Sequence, residues 1–218
     1  MKLLGVRSAK SIWLFPTYFL NPNGIYTRPI IEAMKTRYNF QKTPLDKPIQ
    51  DTSTNFKYED GMFKGRNGTI SITSMTIHED GIVIEAKSST EDGDAFLEDA
   101  LVWCSQEFGL ATYSELPITK IYASELNVSF KQTPAIFNPK FLPLLEKVTT
   151  AINDVNKGNS EFLGFQLSTD FARSEKPAQF KFEREINVPF KDNRFYSFSQ
   201  TTTESHIKLL KEIEKLST

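Results

Sequence analysis

The sequence predicts an α+β protein, built from two β-α-β(3-4)-α repeats that form a mainly antiparallel sheet with helices packed on one face. Three observations lead there. Short runs of alternating apolar and polar residues follow one another across Asp-Gly punctuation, as antiparallel strands do. Longer segments with apolar residues at helical spacing bracket those runs. The order of elements in residues 1–112 also recurs in residues 113–218, although the residues themselves match poorly.

Ser11 to Phe19, rich in Trp, Phe, Tyr and Ile, is predicted as the first strand. Asn-Pro-Asn-Gly breaks it. Thr27 then caps a helix with Pro29 in its first turn, and Ile30, Ile31, Met34 and Tyr38 give that helix its apolar face. A short strand around Phe40 and a polar loop over residues 43–53 follow. Next comes a meander. Asp60-Gly61 turns between Phe56–Tyr58 and Met62–Lys64, and Asp80-Gly81 turns between Thr69–His78 and Ile82–Ser88. Asp92 or Asp94 caps a helix that runs through Phe108 and stops at Gly109. Phe96, Leu97, Ala100, Leu101, Cys104 and Phe108 share one of its sides.

The second half repeats this order. Lys120 to Phe130 alternates as a strand, with Tyr122, Leu126, Val128 and Phe130 on one face. Asn138 and Pro139 open a helix whose stripe is Leu142, Leu145, Val148 or Thr149, Ile152 and Val155. Phe162–Phe171, Gln179–Val188 and Arg194–Phe198 are predicted strands, and in the second of them Phe180, Phe182, Ile186 and Val188 point inward. Thr201 and Glu204 form a capping box for the last helix, with Ile207, Leu210 and Ile213 inside.

Bulk composition narrows the function classes. A chain of 218 residues buries a core without staples, so one compact unit of two repeats is expected. Net charge of −1 provides no global basic field for nucleic acid or anionic lipid. One cysteine and two histidines exclude an intramolecular disulfide and a conventional Cys/His zinc site. Oxygen ligands for Mg²⁺ are plentiful. The N-terminal segment has charges at Arg7 and Lys10 and lacks a small-residue cleavage site, so it does not fit a signal peptide. No run approaches the length of a membrane span. A cytoplasmic protein is expected. The 18 Phe are mostly core, with some left for a binding surface.

Several constellations could carry chemistry. The strand Ile82–Lys87, "IVIEAK", resembles the Glu-x-Lys strand of restriction-type nucleases. That resemblance implies a metal at Glu85, a water positioned by Lys87, and a second carboxylate such as Asp60. A type I′ turn at Asp80-Gly81 pairs Glu79 with Ile82, which puts Thr76 opposite Glu85 and Ser74 opposite Lys87. No acid then lies beside Glu85. Asp80, five residues away, is on the order of 16 Å distant. The three Glu-Asp-Gly triplets are explained by turn and cap chemistry. Lys64 and Arg66 in one loop, and Arg194, Phe195 and Tyr196 in another, combine cations with turn formers or aromatics and could meet phosphate and bases. Arg184 lies among inward-facing apolar residues and should be paired or functional. His206 is expected at a helix boundary, His78 in solvent, and Cys104 in the core.

The duplicated element order resembles the repeat of TATA-binding-protein-like folds, and the helix-grip fold is a related alternative. The stretch Phe182 to Leu216 also resembles the tail of sporadically distributed, uncharacterised bacterial proteins. That second resemblance implies a patchily inherited bacterial gene and an accessory role in a defence or mobile-element system. The expected function is a non-catalytic binding protein with a protein partner, no cofactor and no membrane. The alternatives are a Mg²⁺-dependent nuclease or a nucleic-acid binder, and a small-ligand cavity between sheet and helix.

Overall fold

A computed structural model of the chain describes residues 1–46, 55–65, 68–132, 142–156, 163–170, 172 and 178–215. Among them are eight strands and four helices. These are β1 (Lys2–Leu14), α1 (Thr27–Tyr38), β2 (Phe56–Gly65), β3 (Gly68–His78), β4 (Gly81–Ala86) and α2 (Thr90–Phe108) in the first half. β5 (Thr119–Ser129), α3 (Leu142–Asn156), β6 (Gly164–Ser168), β7 (Gln179–Arg184), β8 (Arg194–Ser199) and α4 (Thr203–Lys215) follow. The strands form one sheet in the order β2-β3-β4-β1-β5-β8-β7-β6. The fold is α+β with an antiparallel sheet, as the alternation and the helical stripes predict.

Backbone contacts divide the chain into two compact units. One comprises residues 6–124 and 200–203, and the other residues 1–5, 125–199 and 204–218. We call them the N-unit and the C-unit. The breaks between them fall within β1, within β5 and around the start of α4.

The N-unit core follows from period-two burial on strands and period-3.6 burial on helices. Trp13 from β1, Tyr58 from β2, Ile72 and Met75 from β3, and Ile82, Ile84 and Ala86 from β4 meet Ile30, Ile31, Met34 and Tyr38 of α1 and Phe96, Leu97, Ala100 and Cys104 of α2. Cys104 is buried, as expected, and burial pushes its thiol up to about 12. Helix α2 is capped by Ser89, whose hydroxyl accepts from the Asp92 N–H at 3.0 Å, and ends at Gly109 in the left-handed region. The cap is three residues earlier than Asp92, because Thr90 and Glu91 already belong to the helix. Close to that N-terminus, Thr90 N–H donates to Thr203 Oγ1 (3.0 Å) and Thr203 N–H donates to Thr90 Oγ1 (2.9 Å). The first residues of α2 and α4 thus satisfy one another's orphan donors.

The C-unit core is built from Leu126, Val128, Phe130, Phe182, Phe195 and Leu210, with Ser197, Ser199, Arg184 and His206 also buried. Phe195 stacks on Phe182 at 4.6 Å between ring centroids. His206 is fully buried rather than at a boundary. The reason is helical spacing: Thr203, His206 and Leu210 recur at intervals of three and four along α4 and share its inner face.

Several expectations are corrected. β1 begins at Lys2 and ends at Leu14, and Thr17–Leu20 is a 3-10 turn. Within β1, Lys10 sits in the row that pairs with Glu85 on the outer face. Thr27 is the first residue of α1, and the capping position is Tyr26, which supplies no side-chain cap. Around Phe40 there is an isolated bridge, Lys42 with Glu59. Asp60-Gly61 is not a turn. β2 runs straight through it, with Asp60 at φ 55° and Gly61 pressed so closely on Phe40 that a Cβ would lie 2.4 Å from the ring. Only glycine allows that approach. β7 stops at Arg184, and Ile186 is 80% exposed because the chain leaves the sheet and passes through Asn187 at φ 65°. Helix α4 begins two residues beyond Thr201. Asn138, Pro139, Phe162 and Phe171 lie outside the described residues.

Candidate functional site

The second hairpin decides the fate of Glu85. The turn residues are Glu79 and Asp80, so His78 pairs with Gly81 and Ile77 with Ile82. This register is two residues away from the one that an Asp80-Gly81 turn implies. It leaves each side chain on its expected face, because side-chain direction repeats every two residues. Glu85 lies opposite Ser74 on one side and Lys10 on the other. Its carboxylate accepts from Ser8 Oγ at 2.7 Å and pairs with Lys10 Nζ at 3.7 Å. Lys87 is exposed, one residue past the end of β4.

The nearest acid in that row is Glu59, beyond Ser74 on β2. Two strand spacings separate it from Glu85, roughly 10 Å. Glu59 is held by Lys42 at 3.1 Å and by Lys57. Asp60 is exposed, on the same distant strand. Among the described residues no group of three His, Cys, Asp or Glu is placed to hold a metal ion.

The loop candidates fall in different places. Lys64 is exposed near the end of β2, and Arg66 lies outside the described residues. On β8 the three residues alternate. Phe195 is buried in the C-unit core, while Arg194 and Tyr196 face the other way. Arg194 pairs with Glu185 at 2.8 Å, and Lys181 sits 5.9 Å from the centre of the Tyr196 ring. Arg184 is 5% exposed. It donates to the Phe190 carbonyl at 3.0 Å and lies over the rings of Phe190 and Phe195 at 4.9 and 5.2 Å. These contacts hold the guanidinium inside the C-unit, as its inward position anticipates.

A different feature stands out in the N-unit. A pocket of about 290 Å³ opens between the 3-10 turn at Thr17–Leu20, the first turns of α1, and strands β2 and β3. Its wall is apolar: Leu20, Ile30, Ile31, Tyr58, Ile77 and Leu110. Thr17 fixes its mouth. The Thr17 N–H donates to the Glu79 carbonyl at 2.9 Å, and its hydroxyl donates to the His78 carbonyl at 2.7 Å. Asn21 braces the opposite side through two bonds with the Ile25 backbone, at 2.8 and 2.9 Å. Two exposed aromatics lie at the opening, with two more close by in sequence. Tyr18 (67% exposed) and Phe56 (39%) line it, Phe19 (43%) packs against Tyr18 with ring centroids 4.3 Å apart, and Tyr26 (70%) precedes the pocket residue Thr27.

Sequence reasoning missed this site because five separated segments supply its wall. One sign was available: the run from Pro16 to Thr27 packs Tyr18, Phe19, Leu20, Ile25 and Tyr26 around Asn-Pro-Asn-Gly, more apolar surface than a connecting loop needs. No family model matches the chain, and no curated protein or solved structure is significantly similar to it.

Proposed function

We propose that the chain is a non-catalytic binding protein whose N-unit pocket receives an apolar side chain of a protein partner. The observation that carries this reading is the rim: the exposed aromatic side chains of Tyr18 and Phe56 line a preformed apolar pocket. Aromatic anchors and the pockets that take them dominate the energetics of protein interfaces. The volume, about 290 Å³, sits at the lower edge of the ~300–1,000 Å³ usual for small-molecule sites. It suits one or two side chains better than a large ligand. The outer sheet face supports the same reading. Its cations Lys10, Lys57, Lys181 and Arg194 each pair with a carboxylate, which leaves little field to draw a nucleic acid backbone.

The two halves are taken as copies of one module that resembles the TATA-binding-protein-like repeat. The element order and the reciprocal Thr90–Thr203 bonds support that reading. A cytoplasmic, bacterial accessory role in a defence or mobile-element system belongs to it as well, on the C-terminal resemblance. Among the described residues no helix is long and apolar enough to cross a membrane.

The test is retention of a partner expressed from the genes beside this one. A tagged chain should hold the partner, Tyr18→Ala with Phe56→Ala should weaken binding at least tenfold, and Glu85→Ala should leave it intact. Undiminished binding by the pocket variant would overturn the proposal. So would metal-dependent DNA cleavage that disappears in Glu85→Ala.

A further inference from the structure

The pocket's rim carries an exposed carboxylate. Glu79 lines the mouth, exposed, and among the described residues its carboxylate makes no hydrogen bond or ion pair. Asp80, the next residue, is exposed as well. Several other carboxylates of this unit are engaged, among them Asp46 by Lys35, Glu59 by Lys42, Glu85 by Lys10, Asp94 by Lys120 and Asp99 by Arg37. Among the described residues no lysine or arginine lines the pocket, and the nearest along α1, Arg28, is taken by Glu32 at 3.0 Å. The backbone beneath Glu79 is also fixed. The Glu79 carbonyl is held by the Thr17 N–H, and the Asp80 carbonyl accepts from the Phe15 N–H at 3.0 Å. A carboxylate on a stapled turn, beside an apolar hole, loses little freedom when a cation meets it.

We propose that the partner segment seated in this pocket carries an apolar anchor directly followed by a lysine or arginine, whose cation meets Glu79. The inference rests on the reading of the pocket as a protein-docking site. The partner is thus a basic, aromatic-containing segment rather than an acidic one.

The test uses three capped dipeptide amides as probes: acetyl-Phe-Arg, acetyl-Phe-Gln and acetyl-Phe-Glu. Each is titrated into the full chain while the backbone amide resonances of Thr17, Ile31, Ile77 and Glu79 are followed. All three should shift those resonances saturably, with Phe-Arg binding about two- to fivefold tighter than Phe-Gln, as a half-exposed ion pair provides. Glu79→Gln should erase that difference and leave Phe-Gln binding unchanged. Equal affinity of all three probes overturns the charge assignment alone. Tighter binding of Phe-Glu also overturns it, and assigns the preference to the N-terminus of α1. No shift with any peptide, or displacement of the peptides by neutral indole at equal or lower concentration, overturns the docking site itself. The Tyr18→Ala, Phe56→Ala variant separates that failure from misfolding, because its remaining resonances should keep their dispersion.

Discussion

The N-unit and the C-unit solve the same packing problem with different chemistry. In the N-unit, α1 and α2 close over a core dominated by aliphatic and aromatic side chains, from Trp13 and Ile72 to Phe96 and Leu97. In the C-unit, the face of α4 that meets the sheet presents His206 beside Leu210, and Arg184 shares the interior with Phe182 and Phe195. Ser197 has a single hydroxyl proton and donates it to the Lys181 carbonyl at 2.8 Å. Its 2.8 Å contact with His206 Nε2 is therefore an acceptance, so Nε2 carries a proton, and burial favours the neutral ring. Phe180 meets the ring edge-on. One core is dominated by aliphatic and aromatic packing; the other also buries a guanidinium and an imidazole whose charged form burial disfavours.

The largest test of this difference is to remove shape. Phe96 is fully buried and touches the rings of Tyr38, Phe40 and Phe63. Phe96→Ala should cost roughly 3–5 kcal/mol in urea unfolding. A cost under about 1 kcal/mol would mean that the aromatic cluster is not what holds α2.

Acid should act on the other unit. Burial lowers the His206 pKa from 6.5 to about 4. Between those values the unfolded chain binds more protons than the folded one. The contribution of neutral His206 is intact above about pH 6.5 and is lost as pH falls toward 4, by roughly 3 kcal/mol in all. His206→Gln keeps an N–H donor and removes the titration. The stability difference between wild type and this variant should shrink by that amount across the interval, and hydrogen exchange should place the change in the C-unit. A difference that stays constant with pH would break the contrast between the cores.

Smaller effects test the helix starts. Thr90→Val or Thr203→Val leaves one buried N–H without its hydroxyl acceptor, at about 1–3 kcal/mol each. The double variant should lose less than the sum, because the two bonds share the same pair of residues. Ser89→Ala removes the α2 cap and should cost about 1 kcal/mol.

The contrast between units also explains what was legible beforehand. Long periodic elements were clear: the stripes of α1 and α2, the alternation of β5, and the glycine stop at Gly109 all rest on local spacing. Asp-Gly pairs were half legible. They signal a backbone that needs positive φ or a close approach, and a turn is only one way to meet that need. At Asp60-Gly61 the strand continues, and the glycine lets it press on the Phe40 ring. At residues 79–81 the staples from Phe15 and Thr17 accompany a turn one residue earlier than the Asp-Gly signal. His206 was misplaced because residue type argued for solvent while helical spacing argued for the core, and spacing won. The pocket could not be seen, since neither Thr17 nor Ile77 says anything alone about the other.

The aromatic inventory has an optical consequence. Both tryptophans, Trp13 and Trp103, belong to the N-unit, while the C-unit contains only the tyrosine Tyr196. Trp13 is sealed inside with its indole N–H on Asp94 at 2.8 Å, and Trp103 carries the Arg37 guanidinium 4.8 Å from its ring. Intrinsic emission on excitation of indole therefore watches one unit and is blind to the other. Loosening of the C-unit in mild acid would leave the fluorescence of the chain nearly unchanged, and a single emission trace would record the protein as folded while half of it had come apart.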